Sequence, residues 1–422
     1  MSNNALCFSA AEILLPDPSK IDPSRWAVVA CDQYTSEPAY WEETARIVGD
    51  APSMLPLILP EVYLSESAER IPAINRAMEI ALREHLIAHP NAMIYLERTQ
   101  SDGTVRHGVL GAVDLEAYDY KKGATTPIRA TEGTVLERIP PRVAIRRDAP
   151  LEAPHIMLLI DDREKSVIEP LCTALSDSAP VYDFDLMQNG GHVRGFLLND
   201  ALQSNVLDAL SALGTPDAMK ARYGADLAPL LFAVGDGNHS LATAKATYEE
   251  LKKVIGEEAA LSHPARYALA EVVNIHDDAL QFEPIYRVVF GVDPAVVLSE
   301  LTDYVASLHG SAAPQSVTYV SADKEGVLTI PSPAQQLTVG TLQSFLSDFS
   351  ARHPEAEVDY IHGEDSLRAL AQKPNAIGFL FDGMRKDELF SAVIFDGALP
   401  RKTFSMGHAA DKRYYLECRR IK

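Results

Sequence analysis

Leu230-Leu-Phe-Ala-Val-Gly-Asp-Gly-Asn-His-Ser-Leu-Ala-Thr-Ala-Lys245 is the stretch on which the reading of this chain turns. Leu230 to Val234 is a short apolar run of buried-strand type, Gly235 and Gly237 bracket a tight turn, and Ala242 to Ile255 carries helical residues. A strand that delivers the chain through a glycine turn into a helix leaves unpaired backbone N–H groups at the helix start. These groups and the positive end of the helix dipole favour a phosphate, and glycine lets the backbone approach it closely. The plainer alternative is that Asn238 or Ser240 only caps the helix. Against it stands the concentration of a carboxylate, an amide and an imidazole within four positions at the end of a strand, where α/β proteins place ligands. Asp236 and His239 are therefore the catalytic candidates, and Gly235, Gly237, Asn238 and Ser240 the phosphate or nucleotide cradle, with Lys245 a candidate cation further along the helix.

Working outward, Arg129-Ala-Thr131-Glu132-Gly133 lies in a Thr-, Arg- and Pro-rich stretch, Lys121 to Pro154, that reads as irregular. There Arg129 and Thr131 suit a phosphate and Glu132 suits a reserve base; an exposed turn explains them equally. Beyond the glycine segment, His276 and Asp277 end the apolar run Arg266 to Ile275, and His276 is a candidate to share a metal with Asp236. Near the C-terminus, Lys402 stands among Arg401, Thr403 and Ser405, a set that suits an anion or simply a solvated strand.

Elsewhere the pattern alternates between strand and helix. Pro38 to Val48 reads as a helix, and so does Pro72 to His89, whose stripe Ile71, Ile74, Met78, Leu82, Leu86 has helical spacing. Ala92 to Thr99 and His107 to Leu115 read as a hairpin turning at Ser101-Asp102-Gly103. Val358 to Ile361, Ile377 to Phe381 and Ala392 to Phe395 read as strands. This predicts a mixed α/β (α+β) class, with mixed sheets containing antiparallel pairs flanked by helices. Divisions at 1–150, 151–290 and 291–422 are expected, the middle region carrying the glycine segment.

Acidic residues exceed basic ones by 59 to 38, a formal net charge of −21, which disfavours nucleic acid and anionic membrane surfaces as partners. The four cysteines have no metal-type spacing. Met1 to Pro16 has no basic leader, and nothing approaches the roughly 20 apolar residues of a membrane span. A cytoplasmic location is expected.

Together, the glycine segment, Arg266 to Asp277 and Thr131-Glu132 resemble the bacterial and archaeal family known as domain of unknown function 1015, over nearly the whole chain. Where much of that family reads Asp-Gly-His-His-Arg-Tyr, this chain has Asp236, Gly237, Asn238, His239, Ser240 and Leu241. Asp and the second His are kept; the first His and the Arg are not. The family pattern is in turn similar to the signature of the ParB/sulfiredoxin-like superfamily, which includes free-serine kinases. The resemblance implies a ParB/sulfiredoxin-like core and a site for nucleotide phosphates, in which Asp236 assists transfer to or from a hydroxyl. It also implies ATP or ADP with Mg²⁺ as cofactors and serine or phosphoserine as the small-molecule substrate. With Ser240 in place of the family Arg, another cation such as Lys245, Arg129 or Lys402 is needed at the phosphate. Two rivals stand beside this expectation: a non-catalytic nucleotide-binding or regulatory protein, and a mononuclear metal hydrolase built on Asp236, His239 and His276. A two-metal phosphatase is disfavoured, because its Gly-Asp and Gly-Asn-His elements occupy separate loops and here they overlap.

Overall fold

A computed structural model describes residues 6–133, 137, 139–224 and 227–422. The reading of the N-terminus as lacking a basic leader falls in part on residues 1–5, outside the described residues. The chain forms two compact units, one of residues 1–280 with 408–422 and the other of residues 281–407.

The first unit is built on a mixed sheet. Its strands lie in the order Tyr182–Asp185, His192–Leu197, Ile94–Thr99, Val105–Asp114, Tyr267–Asn274, Met157–Ile160, Phe232–Asp236, Ile128–Ala130, Tyr118–Asp119. Most neighbours are antiparallel, but Met157–Ile160 runs parallel to Tyr267–Asn274, and Ile128–Ala130 runs parallel to both Phe232–Asp236 and Tyr118–Asp119. Strands from both sides of residue 150 thus share one sheet, where the sequence suggests a division. The apolar runs are central because both of their faces are covered: every residue of Met157–Ile160 is buried, as is every residue of Tyr267–Asn274 after the first, and on one face Leu158, Phe232, Val234 and Val272 pack with Leu241 in one cluster. The second unit has an all-antiparallel sheet, Glu325–Ile330, Gln315–Val320, Ala376–Leu380, Phe282–Phe290, Glu357–His362, with Phe404–Met406 pairing the start of Phe282–Phe290. Helices accompany both sheets, so the class is mixed α/β. No helix among the described residues is long and apolar enough to cross a membrane.

The hairpin forms as expected, with Gly103 at φ 86° in the turn. Three expectations change. The helix near Pro72 spans Ser67–Glu84, with the proline inside it, and Leu86 belongs to the following strand, Leu86–Ala92, which pairs with Ala11–Pro16. The stretch Lys121 to Pro154 is not simply irregular: it holds the strand Ile128–Ala130 and the helix Ile139–Arg147. Pro140 and Pro141 hide that helix from a pattern search, although proline is tolerated in a first turn. Ala392 to Phe395 lies in the helix Glu388–Asp396, where Leu389, Phe390, Ala392 and Val393 are all buried. Its continuous apolar run fits a buried helix as well as a strand.

After leaving the second unit, the C-terminal segment returns to the first. Tyr414–Tyr415 pairs with Val28–Val29, the Trp26 indole donates to the Leu416 carbonyl at 2.9 Å, and Leu14 donates to the Cys418 carbonyl at 2.8 Å. This return places Lys412 and Tyr415 against the end of the glycine strand.

Candidate active site

The strand Phe232–Asp236 is followed by Gly237, whose φ of 76° puts it in the left-handed region, and the helix Asn238–Ile255 begins at once. Glycine is needed there twice over. A side chain at 237 would be strained in this conformation, and its Cβ would sit 3.0 Å from Ile156 Cα. Gly237 has no side chain to cap the helix, and no side-chain cap forms. Neither Asn238 nor Ser240 serves as one. Asn238 Nδ2 lies 3.4 Å from both Thr131 Oγ1 and the Val234 carbonyl, and Ser240 Oγ lies 3.4 Å from His155 Nε2. No side chain caps the start of this eighteen-residue helix, so no capping group offsets the positive end of its dipole.

The helix start borders a cleft of about 610 Å³. Asp236, Gly237, Asn238, His239 and Ser240 line it, and so do Glu132, Asp32, Glu61, Arg142 and His155. Parallel pairing of Val234 with Ala130 puts Glu132 level with Asp236, which is how residues about a hundred positions apart reach one wall. Asp236 is held on both sides: Oδ1 accepts from the Gly237 amide at 2.8 Å, and Oδ2 lies 3.3 Å from Lys412 Nζ.

Near this carboxylate lies a pair in which His155 is buried and Asp32 half-buried. His155 Nε2 is 3.5 Å from Asp32 Oδ2, and its Nδ1 is 2.8 Å from the Tyr415 hydroxyl, which in turn donates to Cys31 Sγ at 2.9 Å. Burial works against charge on both partners. It is outweighed on His155 by Asp32, with Asp236 and Glu61 adding to the effect, so the imidazole is raised above its ordinary range. On Asp32 burial is outweighed by His155, with Gln33 and Lys412, so the carboxyl is held well below its range. The raised value favours the imidazolium form, which can donate from one ring nitrogen toward Asp32 and from the other to the Tyr415 hydroxyl. Burial pushes the Cys31 thiol up to about 12, which removes it as a thiolate nucleophile.

The pair also has a pH signature. The His155 contribution is complete below an unfolded imidazole value of about 6.5 and is lost as pH rises through the raised folded value. The Asp32 contribution is present above about 3.9 and is lost only as pH falls through the lowered value. Thermal unfolding followed from pH 5 to pH 9 should show the midpoint falling on the alkaline side, with a shallower fall in Asp32→Asn. Identical profiles for the two proteins would contradict the pairing.

Other expected site residues lie elsewhere. Arg129 is buried and donates to the carbonyls of Thr126, Ala228 and Pro229, so it ties loops together rather than facing the cleft. Thr131 donates to the Val234 carbonyl at 2.6 Å and braces the wall from behind. Gly235 precedes Asp236 within the strand. Lys245 is about 10 Å up the helix axis from Asn238 and pairs with Glu249 at 2.7 Å. Lys402 is in the second unit, its ammonium 4.9 Å from the Tyr360 ring centre. His276 cannot share a metal with Asp236. Both Asp236 and Glu271 are level with Met157, while the chain runs from Glu271 away along the sheet, already about 10 Å by Asn274. His276 lies beyond, bonded through Nε2 to Asp161 at 2.6 Å. The trio Asp236, His239 and His276 is therefore not assembled.

Asp32, His155, Lys412, Tyr415, Glu61 and Arg142 are the site residues that sequence reasoning missed. Arg142, from the helix behind the two prolines, pairs with Glu61 across the cleft. The one available signal was position: Asp32 and His155 directly flank apolar runs, as Asp236 does.

A family model described as "Protein of unknown function (DUF1015)" matches residues 14–391. No curated protein matches the chain. Among solved structures, the chain is similar to a conserved hypothetical protein from Pyrococcus furiosus at 11% identity, covering 71% of this chain and 90% of that one, with a TM-score of 0.33. A free serine kinase in complex with AMP is 12% identical over 74% of this chain and 90% of its own, with a TM-score of 0.36. SbnI from Staphylococcus aureus, truncated at its C-terminus, is 13% identical over 71% of this chain and 82% of its own, with a TM-score of 0.33.

Proposed function

For this chain, which belongs to the DUF1015 family of proteins of unknown function, we propose phosphoryl transfer between a nucleotide and a small hydroxylated metabolite in the cleft beside Asp236. One observation carries the reading: the uncapped N-terminus of the helix Asn238–Ile255 borders the same cleft as the Asp236 carboxylate. The first suits phosphate oxygens and the second suits a hydroxyl that must lose a proton as it attacks phosphorus.

In this reading the amides of Asn238, His239 and Ser240 cradle a phosphate, with Lys412 and the His155 imidazolium as the cations beside it. These two replace the Arg that the family pattern has where this chain has Ser240. Asp236 orients and deprotonates the acceptor hydroxyl, its geometry set by Gly237 N–H and Lys412. His239 donates to a phosphate oxygen, and Glu132 is the second carboxylate within the wall. The carboxylates Asp236 and Glu132 are hard oxygen donors of the kind that suit Mg²⁺ alongside substrate phosphates; the ion would neutralise charge on the transferred group. A cleft of about 610 Å³ is of a size to admit a nucleotide. Serine or phosphoserine as the second substrate follows from the motif resemblance.

A ligand bound by the folded state alone raises stability by about 2.7 kcal/mol at a hundredfold excess over Kd. Thermal unfolding with ATP, ADP, pyrophosphate, serine and phosphoserine, each with and without Mg²⁺, should show a nucleotide-dependent rise that is lost in Lys412→Met. A rise without turnover of any hydroxylated metabolite would favour a nucleotide-binding regulator. No rise with any of them would remove the proposal.

A further inference from the structure

Elsewhere on the sheet of the first unit, Glu97, His107 and Cys172 each bring one ligand atom to within 4.8 Å of the others. Register explains the first two. Glu97 is the cross-strand partner of His107 in the antiparallel pair Ile94–Thr99 and Val105–Asp114, so their side chains stand on one face. Cys172 comes from the helix Glu169–Ala174. His107 is fixed from behind: Asp277 Oδ2 lies 3.1 Å from its Nδ1 and accepts its backbone N–H at 3.0 Å. With Nδ1 so engaged, Nε2 is the nitrogen left for a metal, and a carboxylate behind a histidine is the arrangement that sets the tautomer of a metal ligand.

Ordinary cross-strand pairing accounts for part of this. Glu97 Oε2 is 3.1 Å from Arg194 Nη1, and Tyr95 donates to Glu97 Oε1 at 3.4 Å. Pairing does not account for the thiol, nor for Glu169 Oε2, which is buried without a hydrogen-bond partner among the described residues, one helical turn before Cys172. An uncompensated carboxylate oxygen is costly, and a cation close by would offset it.

We propose that Glu97, His107 and Cys172 form a site for a divalent transition metal of the zinc type. Imidazole nitrogen, thiolate sulfur and carboxylate oxygen are together a zinc-like donor set, and three protein ligands leave the fourth tetrahedral position to water. On binding, the Cys172 thiol gives its proton to solvent and the sulfur lone pair forms the bond to the metal. This site is separate from the cleft of Asp236, and neither depends on the other.

Full-length protein, stripped with chelator, is titrated with Co²⁺ as a spectroscopic probe and then with Zn²⁺ by equilibrium dialysis. One ion per chain is expected, with a thiolate-to-cobalt charge-transfer band. Cys172→Ser should abolish the band, and Cys172→Ser and His107→Ala should each weaken binding about tenfold or more. Asp236→Asn should leave both readouts unchanged. Cys172 is exposed, so its replacement leaves the core intact; circular dichroism checks the fold of every variant. Absence of stoichiometric binding, or an unchanged band in Cys172→Ser, would overturn the proposal.

Discussion

Asp236→Asn is expected to lower the rate of phosphoryl transfer by about 10²- to 10⁴-fold, the usual contribution of a positioned acid or base, while leaving the fold in place. Asn keeps the oxygen that accepts from Gly237 N–H at 2.8 Å, so the turn into the helix should survive. It loses the negative charge that faces Lys412 at 3.3 Å and the basicity needed to take a hydroxyl proton. That ion pair is partly exposed, and such pairs contribute only about 0–1 kcal/mol, so stability should barely move. Product formation and urea midpoint measured on the same preparation separate the two effects. Full activity in the variant would reject the role assigned to Asp236.

Glu271→Ala should be as damaging to stability as Asp236→Asn is to activity. Glu271 is 0% exposed and holds two guanidinium groups, Arg106 Nε at 3.3 Å from Oε1 and Arg413 Nη1 at 2.7 Å from Oε2. Arg413 also pairs with Glu417 at 2.6 Å, which accepts from the Tyr182 hydroxyl at 2.6 Å. Burial opposes the charge on Glu271, but Arg106 and Arg413 outweigh it and hold the carboxyl below its usual range. Removing one partner of a buried pair leaves uncompensated charge and costs about 3–5 kcal/mol. The urea midpoint of the first unit should fall accordingly. Because the carboxyl is lowered, its contribution is present above the unfolded value and is lost only on acidification through the folded one. The difference between wild type and variant should therefore persist at pH 7 and close only in strong acid. A near-neutral substitution would show that the arginines find other partners. Gly108 is part of the same device: a Cβ there would lie 2.7 Å from Glu271 Oε1, so the strand has no side chain where the carboxylate sits.

The glycine segment was legible because everything it says is local. An apolar run, two glycines and a helix occupy consecutive positions, and Gly237 takes the left-handed conformation that such a turn demands. Its partners were not legible. His155 comes near Asp236 because the strand it precedes, Met157–Ile160, pairs with Phe232–Asp236, and Lys412 reaches Asp236 because the tail, which pairs Tyr414–Tyr415 with Val28–Val29, returns after the chain has passed through a whole second unit. Apart from the apolar runs that Asp32 and His155 flank, nothing in their own neighbourhoods marks them. The same limit misplaced His276 and Arg129, whose residue types suit metal and phosphate but whose register and carbonyl partners assign them to packing. Where secondary structure was misread, continuous apolar runs and proline-rich helix starts were the cause, since periodicity separates neither from its alternative.

The most direct test of the cleft as a phosphoryl-transfer site is to incubate the protein with nucleotide, Mg²⁺ and serine and to detect phosphoserine by mass spectrometry, with Asp236→Asn alongside. Phosphoserine formed by the wild type and lost in the folded variant is the expected result. Equal product from both proteins would contradict the assignment of the chemistry to Asp236, and no product from phosphate donors of either kind, ATP or ADP, would contradict serine phosphorylation itself.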